Sequence, residues 1–153
     1  MITDVDVREA DPADAPVLAR LRWAFKQEEK ADRSDPVRPV SDAEDWIRER
    51  LASGRWRAWV VEDDGEVCGH VFLNVVERVP EPYEDNTPLG YVTNFYVAPE
   101  YRNGGFGTAL LEALRRHARD SDMEVLIVWP SERSAPLYRR SGFGSPAELL
   151  EAR

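Results

Sequence analysis

The segment from Tyr91 to Thr108 constrains the fold most, because it joins a strand pattern, a glycine-rich turn and the start of a helix. The turn contains Gly104, Gly105 and Gly107, and apolar residues at helical spacing follow it. Glycines let a ligand approach the backbone closely, and the first N–H groups of a helix have no partners inside the helix. Such a unit suits a phosphate, and Arg102 adds a charged donor at its mouth. The segment therefore predicts a phosphate-binding strand–turn–helix unit, although short turns of this type also use glycine without any ligand.

Two common nucleotide-binding patterns fit this segment poorly. A Walker A loop needs a lysine after its last glycine, and this region contains no lysine. A dinucleotide fingerprint needs a third glycine where this chain has Leu110, and it also needs an acidic residue at a strand end about twenty residues further on. No such residue is found, so both nucleotide interpretations are weakened.

Hydrophobic periodicity and turn residues predict a mixed α/β order along the whole chain. Asp11 provides an N-cap for a first helix that ends near Gln27, and Ser41–Glu44 indicates a capping box for a second helix. The apolar run 125–128 is typical of a buried strand, whereas the tail 147–153 fits either a helix or a last edge strand. The other predicted elements are strands at 5–10, 56–62, 67–76 and 90–97, a hairpin turn at 63–65, a long loop at 77–88, and helices at 106–118 and 134–140.

Length, charge and composition exclude several classes of protein. The 153 residues fit one domain, 1–153, and carry a formal net charge of −9. The chain has no apolar run long enough for a transmembrane helix and no signal-peptide pattern, and its one cysteine and two distant histidines argue against a disulfide or a metal site. We therefore expect a cytoplasmic domain without a metal, a membrane partner or a nucleic-acid partner. Its negative charge would attract a cation such as an amine.

Two motifs resemble those of the GNAT N-acetyltransferase superfamily. The stretch Arg102-Asn103-Gly104-Gly105-Phe106-Gly107 is similar to the acetyl-CoA pyrophosphate loop of that family, and Ser134–Phe143 is similar to its short helix ending in Tyr-x-x-x-Gly-Phe. One predicted helix and one predicted strand separate the two motifs, as in the family. The resemblance implies a mixed, mostly antiparallel central sheet with splayed parallel strands, flanked by about four helices.

The resemblance also assigns roles to individual residues. The loop would hold the pyrophosphate of acetyl-CoA through its N–H groups, and the strand before it would present its backbone to the pantetheine arm and the thioester. Tyr138 would protonate the departing thiolate as a general acid, and Asn94 is a candidate for orienting the acceptor. The implied acetyl-CoA-binding residues are Phe95, Tyr96, Val97, Arg102, Asn103, Gly104, Gly105, Phe106, Gly107, Thr108 and Ser134.

The implied reaction is transfer of an acetyl group from acetyl-CoA to a primary amine by direct attack of the amine. Some family members use a glutamate on the cofactor strand as the base, but Tyr91 occupies that position here. The acidic loop 77–88 would border the acceptor cleft and favour a small cationic amine. The remaining candidate bases, beside a chain of water molecules, are Glu28, Glu29, Glu77, Glu81, Glu84 and Asp85.

Several interpretations stay open at this point. Four tryptophans are interpreted mainly as core residues, with a pocket for an apolar part of the acceptor as the alternative: Trp23, Trp46, Trp56 and Trp59. Cys68 and His70 are interpreted as packing residues and not as a nucleophile and its base. A non-catalytic acyl-CoA-binding or sensing module is the main functional alternative, and an acyltransferase for a longer acyl-CoA is another. A homodimer is possible on general grounds.

Overall fold

A computed structural model of the chain describes residues 5–30, 35–84, 87–123 and 125–153. The strands are β1 (Asp6–Glu9), β2 (Trp56–Asp63), β3 (Glu66–Val76), β4 (Leu89–Val97) and β5 (Leu126–Val128). The helices are α1 (Ala15–Glu29), α2 (Val40–Ser53), α3 (Phe106–Asp120) and α4 (Ala135–Arg140), with 3-10 turns at Pro12–Asp14 and Pro99–Tyr101. Asp85, one of the candidate bases, lies outside the described residues.

The five strands form one sheet in chain order, β1-β2-β3-β4-β5. The first three pairings are antiparallel, and β4 pairs with β5 in parallel. A parallel pair needs a crossover connection, and α3 provides it between β4 and β5. The predicted class, a mixed α/β fold with a mostly antiparallel sheet and four helices, is confirmed.

Helices cover both faces of the sheet. Neighbouring residues of a strand point to opposite faces, and in β2 Ala58 and Val60 pack with α1 and α2 while Trp59 and Val61 pack with α3 and α4. All four side chains are at most 5% exposed. The central strands therefore have buried residues on both faces, and the sheet edge at β5 is the place where a ligand can reach its interior.

Two of the caps and turns predicted from the sequence agree with the structure. Asp11 caps the first helical segment in a complete capping box, and Asp64 and Gly65 take the left-handed backbone that a tight hairpin turn requires, with φ of 52° and 80°. The capping box predicted at Ser41 is wrong. Helix α2 begins one residue earlier, with Pro39 in the cap position and no side-chain hydrogen bond there.

Two predictions near the C-terminus are also wrong. Strand β5 is not fully buried, because it lies at the edge of the sheet, and each of its three residues is only half-buried. The tail 147–153 forms neither a helix nor a strand, and Leu150 is 91% exposed. None of the described helices is long and apolar enough to cross a membrane.

Candidate active site

Strand β4 separates from β5 near the middle of its length. Pairing begins at Gly90–Leu126 and ends at Val92–Val128, yet β4 continues for five more residues to Val97. The separation leaves a gap between two parallel strands, with the N-terminus of α3 and helix α4 beside it. Peptide groups along this part of β4 are available on the side that faces the gap, so an extended ligand can pair with them.

A bulge in β4 lies beside the gap. The register between β3 and β4 shifts between His70 and Phe72, and Asn94 takes a left-handed backbone with φ of 54°. Asparagine tolerates this conformation better than most residues. The carbonyl of Asn94 accepts a hydrogen bond from His70 Nδ1 at 2.7 Å, and its side-chain oxygen accepts one from Arg22 Nη1 at 2.9 Å. Hydrogen bonds to its main chain and to its side chain therefore fix the position of Asn94.

His70 is fully buried and neutral at pH 7. Burial lowers its pKa from 6.5 to about 4, although the hydrogen bond to Asn94 acts in the opposite direction. Because a carbonyl can only accept, Nδ1 carries the proton and Nε2 is an acceptor. Among the described residues, Nε2 is the one buried side-chain nitrogen or oxygen without a hydrogen-bond partner. The interpretation of Cys68 and His70 as buried packing residues is confirmed.

The N-terminus of α3 has the features of a phosphate cradle. Gly105 occupies the cap position with φ of 86° and provides no side-chain hydrogen bond, so the N–H groups of the first turn have no side-chain cap. A Cβ on Gly107 would lie 2.8 Å from Leu137 Cδ2 and 3.0 Å from Phe95 Cζ, so any larger residue would require these two side chains to move. Free N–H groups, a positive helix end and a glycine floor match the chemistry of a pyrophosphate.

A cavity of about 540 Å³ connects this cradle with the gap. Seven of the eleven predicted acetyl-CoA-binding residues line it, whereas Gly104, Gly105, Phe106 and Thr108 belong to the same turn but do not line it. The lining residues among the eleven are Phe95, Tyr96, Val97, Arg102, Asn103, Gly107 and Ser134. The residues present therefore fit acetyl-CoA, with phosphates at α3 and an extended arm along β4.

Ser134 is bonded within its own turn. Its hydroxyl contacts the hydroxyl of Ser131 at 2.8 Å and accepts from the N–H of Ser131 at 3.1 Å. Ser134 thus lines the cavity, as the resemblance implies, but its oxygen also has a structural partner.

Arg102 is tied to protein groups at the cavity wall. Its Nε donates to the carbonyl of Val97 at 2.9 Å, and its Nη2 pairs with Glu28 at 2.8 Å. Glu28 also accepts from Arg133 and from the hydroxyl of Tyr96. Burial opposes ionisation of Glu28, but the hydrogen bonds from Arg133 and Arg102 outweigh it and lower its pKa. A charged carboxylate with three donors has little capacity to accept a further proton, which argues against Glu28 as the base.

Tyr138 lies on the sheet face that α3 and α4 cover, and it packs against Phe95, which lines the 540 Å³ cavity. It is 3% exposed, and its ring packs edge-on against Phe95 and Phe143. Burial, with a smaller effect of the nearby Tyr91, raises its pKa, so the hydroxyl stays protonated at neutral pH. No hydrogen bond within the described residues engages this hydroxyl. Tyr138 lines a groove of about 790 Å³ beside β5 and does not line the 540 Å³ cavity.

A second cavity, of about 350 Å³, lies between α1, α2 and the bulge of β4. Trp23, Trp46 and Trp56 line it, and Trp46 is 39% exposed. The interpretation of the tryptophans as core residues is confirmed for Trp59 and wrong for Trp46, and the aromatic pocket that was the alternative is present. We call it the aromatic cavity.

The loop 77–88 does not border either cavity in its described part. Glu77 pairs with Arg55 at 2.9 Å on the surface, and both side chains are largely exposed. The expectation that this loop forms the wall of an acceptor cleft is therefore wrong for the residues that the structure describes. Within the same residues, no group of three histidine, cysteine, aspartate or glutamate side chains could hold a metal ion.

Sequence reasoning missed four charged residues that line these cavities: Arg22, Glu132, Arg133 and Arg140. A signal for Arg22 was present, because it follows Leu18 by four residues and precedes Phe25 by three, which places it on the apolar face of α1. Arg133 lies in a turn without a recognisable pattern. Its position depends on the contact with Glu28, which is distant in sequence.

Comparison with known proteins places these observations in a family. Residues 17–143 match the family model described as the acetyltransferase (GNAT) family. An aminoglycoside N(6')-acetyltransferase type 1 of Stenotrophomonas maltophilia is 30% identical over 123 residues, which are 78% of this chain and 71% of that protein. A glucosamine 6-phosphate N-acetyltransferase of Trypanosoma brucei brucei is 28% identical over 99 residues, 61% of this chain and 65% of that protein.

Solved structures agree on the fold. A protein of Clostridium acetobutylicum, described as a predicted acetyltransferase with acetyl-CoA, superimposes with a TM-score of 0.79 at 22% identity, over 97% of this chain and 96% of that one. A GCN5-related N-acetyltransferase of Ralstonia eutropha gives a TM-score of 0.75 at 25% identity, over 97% and 98% of the two chains.

Proposed function

The chain belongs to the GNAT acetyltransferase family, and we propose that it acetylates a primary amine by direct attack of that amine on the thioester of acetyl-CoA. The observation that carries the proposal is the gap between β4 and β5, because the cavity at this gap is lined by Phe95–Val97 of β4 and by Gly107 of the phosphate cradle. The family membership makes the chain an acyl-CoA-dependent N-acetyltransferase with acetyl-CoA as cosubstrate. The identity of the amine is part of the proposal.

The backbone does most of the binding in this scheme. The N–H groups at the start of α3 hold the pyrophosphate, and the segment Phe95–Val97 pairs with the pantetheine arm. The N–H of Tyr96 or Val97 stabilises negative charge on the thioester oxygen, which is the role of an oxyanion donor. Arg102 adds positive charge at the cavity wall, where it also holds Glu28.

Tyr138 is proposed as the proton donor to the thiolate. Its raised pKa keeps the hydroxyl in the donor form at neutral pH, and no group among the described residues competes for its hydrogen. When the new N–C bond forms and the C–S bond breaks, the phenol supplies the proton that the sulfur takes up. The attacking nitrogen, neutral after the ammonium ion has lost its first proton, releases a second proton as the amide forms. This second proton restores the phenol, so the protons balance.

Deprotonation of the acceptor amine requires a base in the cavity or a path to water. An amine with a pKa near 10 arrives mainly as an ammonium ion, which the net charge of −9 attracts. Glu28 is already saturated with donors, as described above. Glu29 lines the same cavity as Glu28, so Glu29 and a chain of water molecules are the routes we propose.

Calorimetric titration with acetyl-CoA, followed by a free-thiol assay against a panel of primary amines, tests this function. Binding, together with thiol release that depends on an amine, would support it. Binding without thiol release from any amine would contradict catalysis and support a non-catalytic acyl-CoA-binding module. Absence of binding would contradict the assignment of the gap and the cradle to acetyl-CoA.

A further inference from the structure

Arg22 is a half-buried cation that forms no salt bridge with a carboxylate in the described part of the chain, although the charge of Glu29 partly offsets the effect of burial on its pKa. Its only hydrogen bond among the described residues is the one from Nη1 to the neutral amide of Asn94, at 2.9 Å. Burial is the largest influence on Arg22 and lowers its pKa. By contrast, Arg8 and Arg102 each contact carboxylates at 2.7 to 2.8 Å. Because a charge removed from water is costly unless it is paired, the position of Arg22 favours an anion in the space it lines.

That space is the aromatic cavity, and its walls are mostly apolar. Trp46 and Trp56 meet edge to face, with 5.1 Å between ring centroids, and the rings of Trp23, Phe72 and Tyr91 complete the lining. No acidic residue of the described chain lines it. A polycation such as a polyamine or an aminoglycoside would meet one guanidinium and no carboxylate here. An apolar or aromatic body with a single negative group matches the walls better.

The position of Arg22 also limits where the amine of such a ligand would lie. Arg22 is bonded to Asn94, and Asn94 immediately precedes the segment Phe95–Val97 that pairs with the pantetheine arm in the proposed function. An anion on Arg22 is therefore adjacent to the strand that carries the thioester. An amine one carbon away from that anion can reach the gap, whereas its side chain stays among the tryptophans.

Resting on the proposed function, we infer that the acceptor is an α-amino acid with an aromatic or large apolar side chain. Its carboxylate pairs with the planar guanidinium of Arg22, which suits two parallel hydrogen bonds. Its side chain fills the aromatic cavity, and its α-amine attacks the thioester. The new N–C bond forms as the C–S bond breaks, the nitrogen releases one proton, and the sulfur takes one up.

The test compares matched amines under saturating acetyl-CoA in the thiol-release assay. Phenylalanine and tryptophan are compared with phenethylamine and tryptamine, which lack only the carboxylate. We expect kcat/KM to be roughly 10- to 100-fold higher for the amino acids, the range typical of a hydrogen bond to a charged group. Equal or higher values for phenethylamine and tryptamine would overturn the inference. So would a preference for spermidine, for kanamycin or for glucosamine 6-phosphate, whose anion is a phosphate.

The variant Arg22→Met separates charge recognition from folding. It should lose the preference for the carboxylate, so that kcat/KM for phenylalanine becomes equal to kcat/KM for phenethylamine in the same variant. Acetyl-CoA binding by calorimetry checks that the variant is folded. Arg20→Met, on the exposed side of the same helix, is the matched control and should keep the wild-type preference. An unchanged preference in Arg22→Met would overturn the inference.

Tryptophan fluorescence provides a readout that is independent of turnover. Phenylalanine added to the protein with CoA should change the emission of the wild type and of Arg20→Met, and should change it much less in Arg22→Met. If acetyl-CoA binds but no amine of any kind releases thiol, the proposed function fails and the inference fails with it. If other amines react and amino acids do not, the inference alone fails.

Discussion

Lowering the pH is expected to destabilise this protein because unfolding exposes His70 to protonation. Most of this loss should occur above the pH at which carboxylates titrate. In the folded chain, burial lowers the pKa of His70 from 6.5 to about 4. The unfolded chain therefore binds more protons than the folded one between these two values, so the free energy of unfolding decreases as the pH falls through that window. The stabilisation is fully present above pH 6.5.

The structure sets the size of the effect. The difference of about 2.5 pH units corresponds to about 3 kcal/mol in total, because each unit is worth about 1.4 kcal/mol. Between pH 7.5 and pH 5, where most carboxylates are still ionised, about 2 kcal/mol of this should be lost. A loss of this size is a substantial fraction of the stability of an ordinary domain.

Urea unfolding of the wild type and of His70→Asn, measured from pH 7.5 to pH 5, tests the reasoning. The asparagine amide can still donate to the carbonyl of Asn94 but does not titrate, so contributions from other groups cancel in the difference. We expect the stability advantage of the wild type to shrink by about 2 kcal/mol over this range. His117→Gln, a change at the other histidine, should retain most of the loss seen in the wild type. Burial also lowers the pKa of His117, so this variant should lack only the part of the loss that His117 contributes.

A stability difference between wild type and His70→Asn that does not change with pH would refute the linkage. Proton NMR of the two histidine rings gives an independent check. The signals of His117 should be absent from the spectrum of His117→Gln, which assigns the remaining ring to His70, and the shift of that ring should stay nearly constant between pH 7.5 and pH 5. Titration of His70 near its ordinary pKa would show that the ring is hydrated or that its environment can relax.

Three further predictions concern the proposed reaction. Tyr138→Phe should lower kcat by about 100-fold or more, the usual contribution of a general acid, with little change in acetyl-CoA affinity by calorimetry; full turnover would exclude the role. Gly107→Ala places a methyl group against Leu137 and Phe95 and should weaken acetyl-CoA binding, whereas Gly144→Ala, in open space, should not. Equal affinities of the two variants for acetyl-CoA would contradict the assignment of this turn to the phosphates. Arg102→Ala should weaken acetyl-CoA binding by about 1.5–3 kcal/mol, which is the cost of a lost hydrogen bond to a charged group. Arg55→Ala, a change at an exposed salt bridge outside the cavity, should leave the affinity unchanged. Wild-type affinity in Arg102→Ala would show that the backbone alone holds the phosphates.

Local patterns were sufficient to predict most of the helices and strands and the turn that joins β4 to α3. Strand-like segments on either side of the hairpin turn at 63–65 predicted β2 and β3, and the glycines at 104, 105 and 107 predicted the connection from β4 to α3. These features depend on neighbours within a few residues, because turns, caps and helix ends are set by backbone geometry and short-range hydrogen bonds. The same locality explains the error at Ser41, where the chain had an alternative start one residue earlier.

The acceptor side was decided by contacts between distant segments. Arg22 reaches Asn94 across 72 positions, Glu28 joins Arg133 across 105, and the aromatic cavity combines residues from α1, α2 and three strands. A tryptophan in an amphipathic pattern has the same signature whether it fills a core or lines a cavity, because periodicity reports only which face of an element is apolar. The sequence by itself therefore determined which elements form and which turn we propose as the phosphate site. Only the packing of α1 and α2 against the sheet decided which charge and which rings an acceptor would meet.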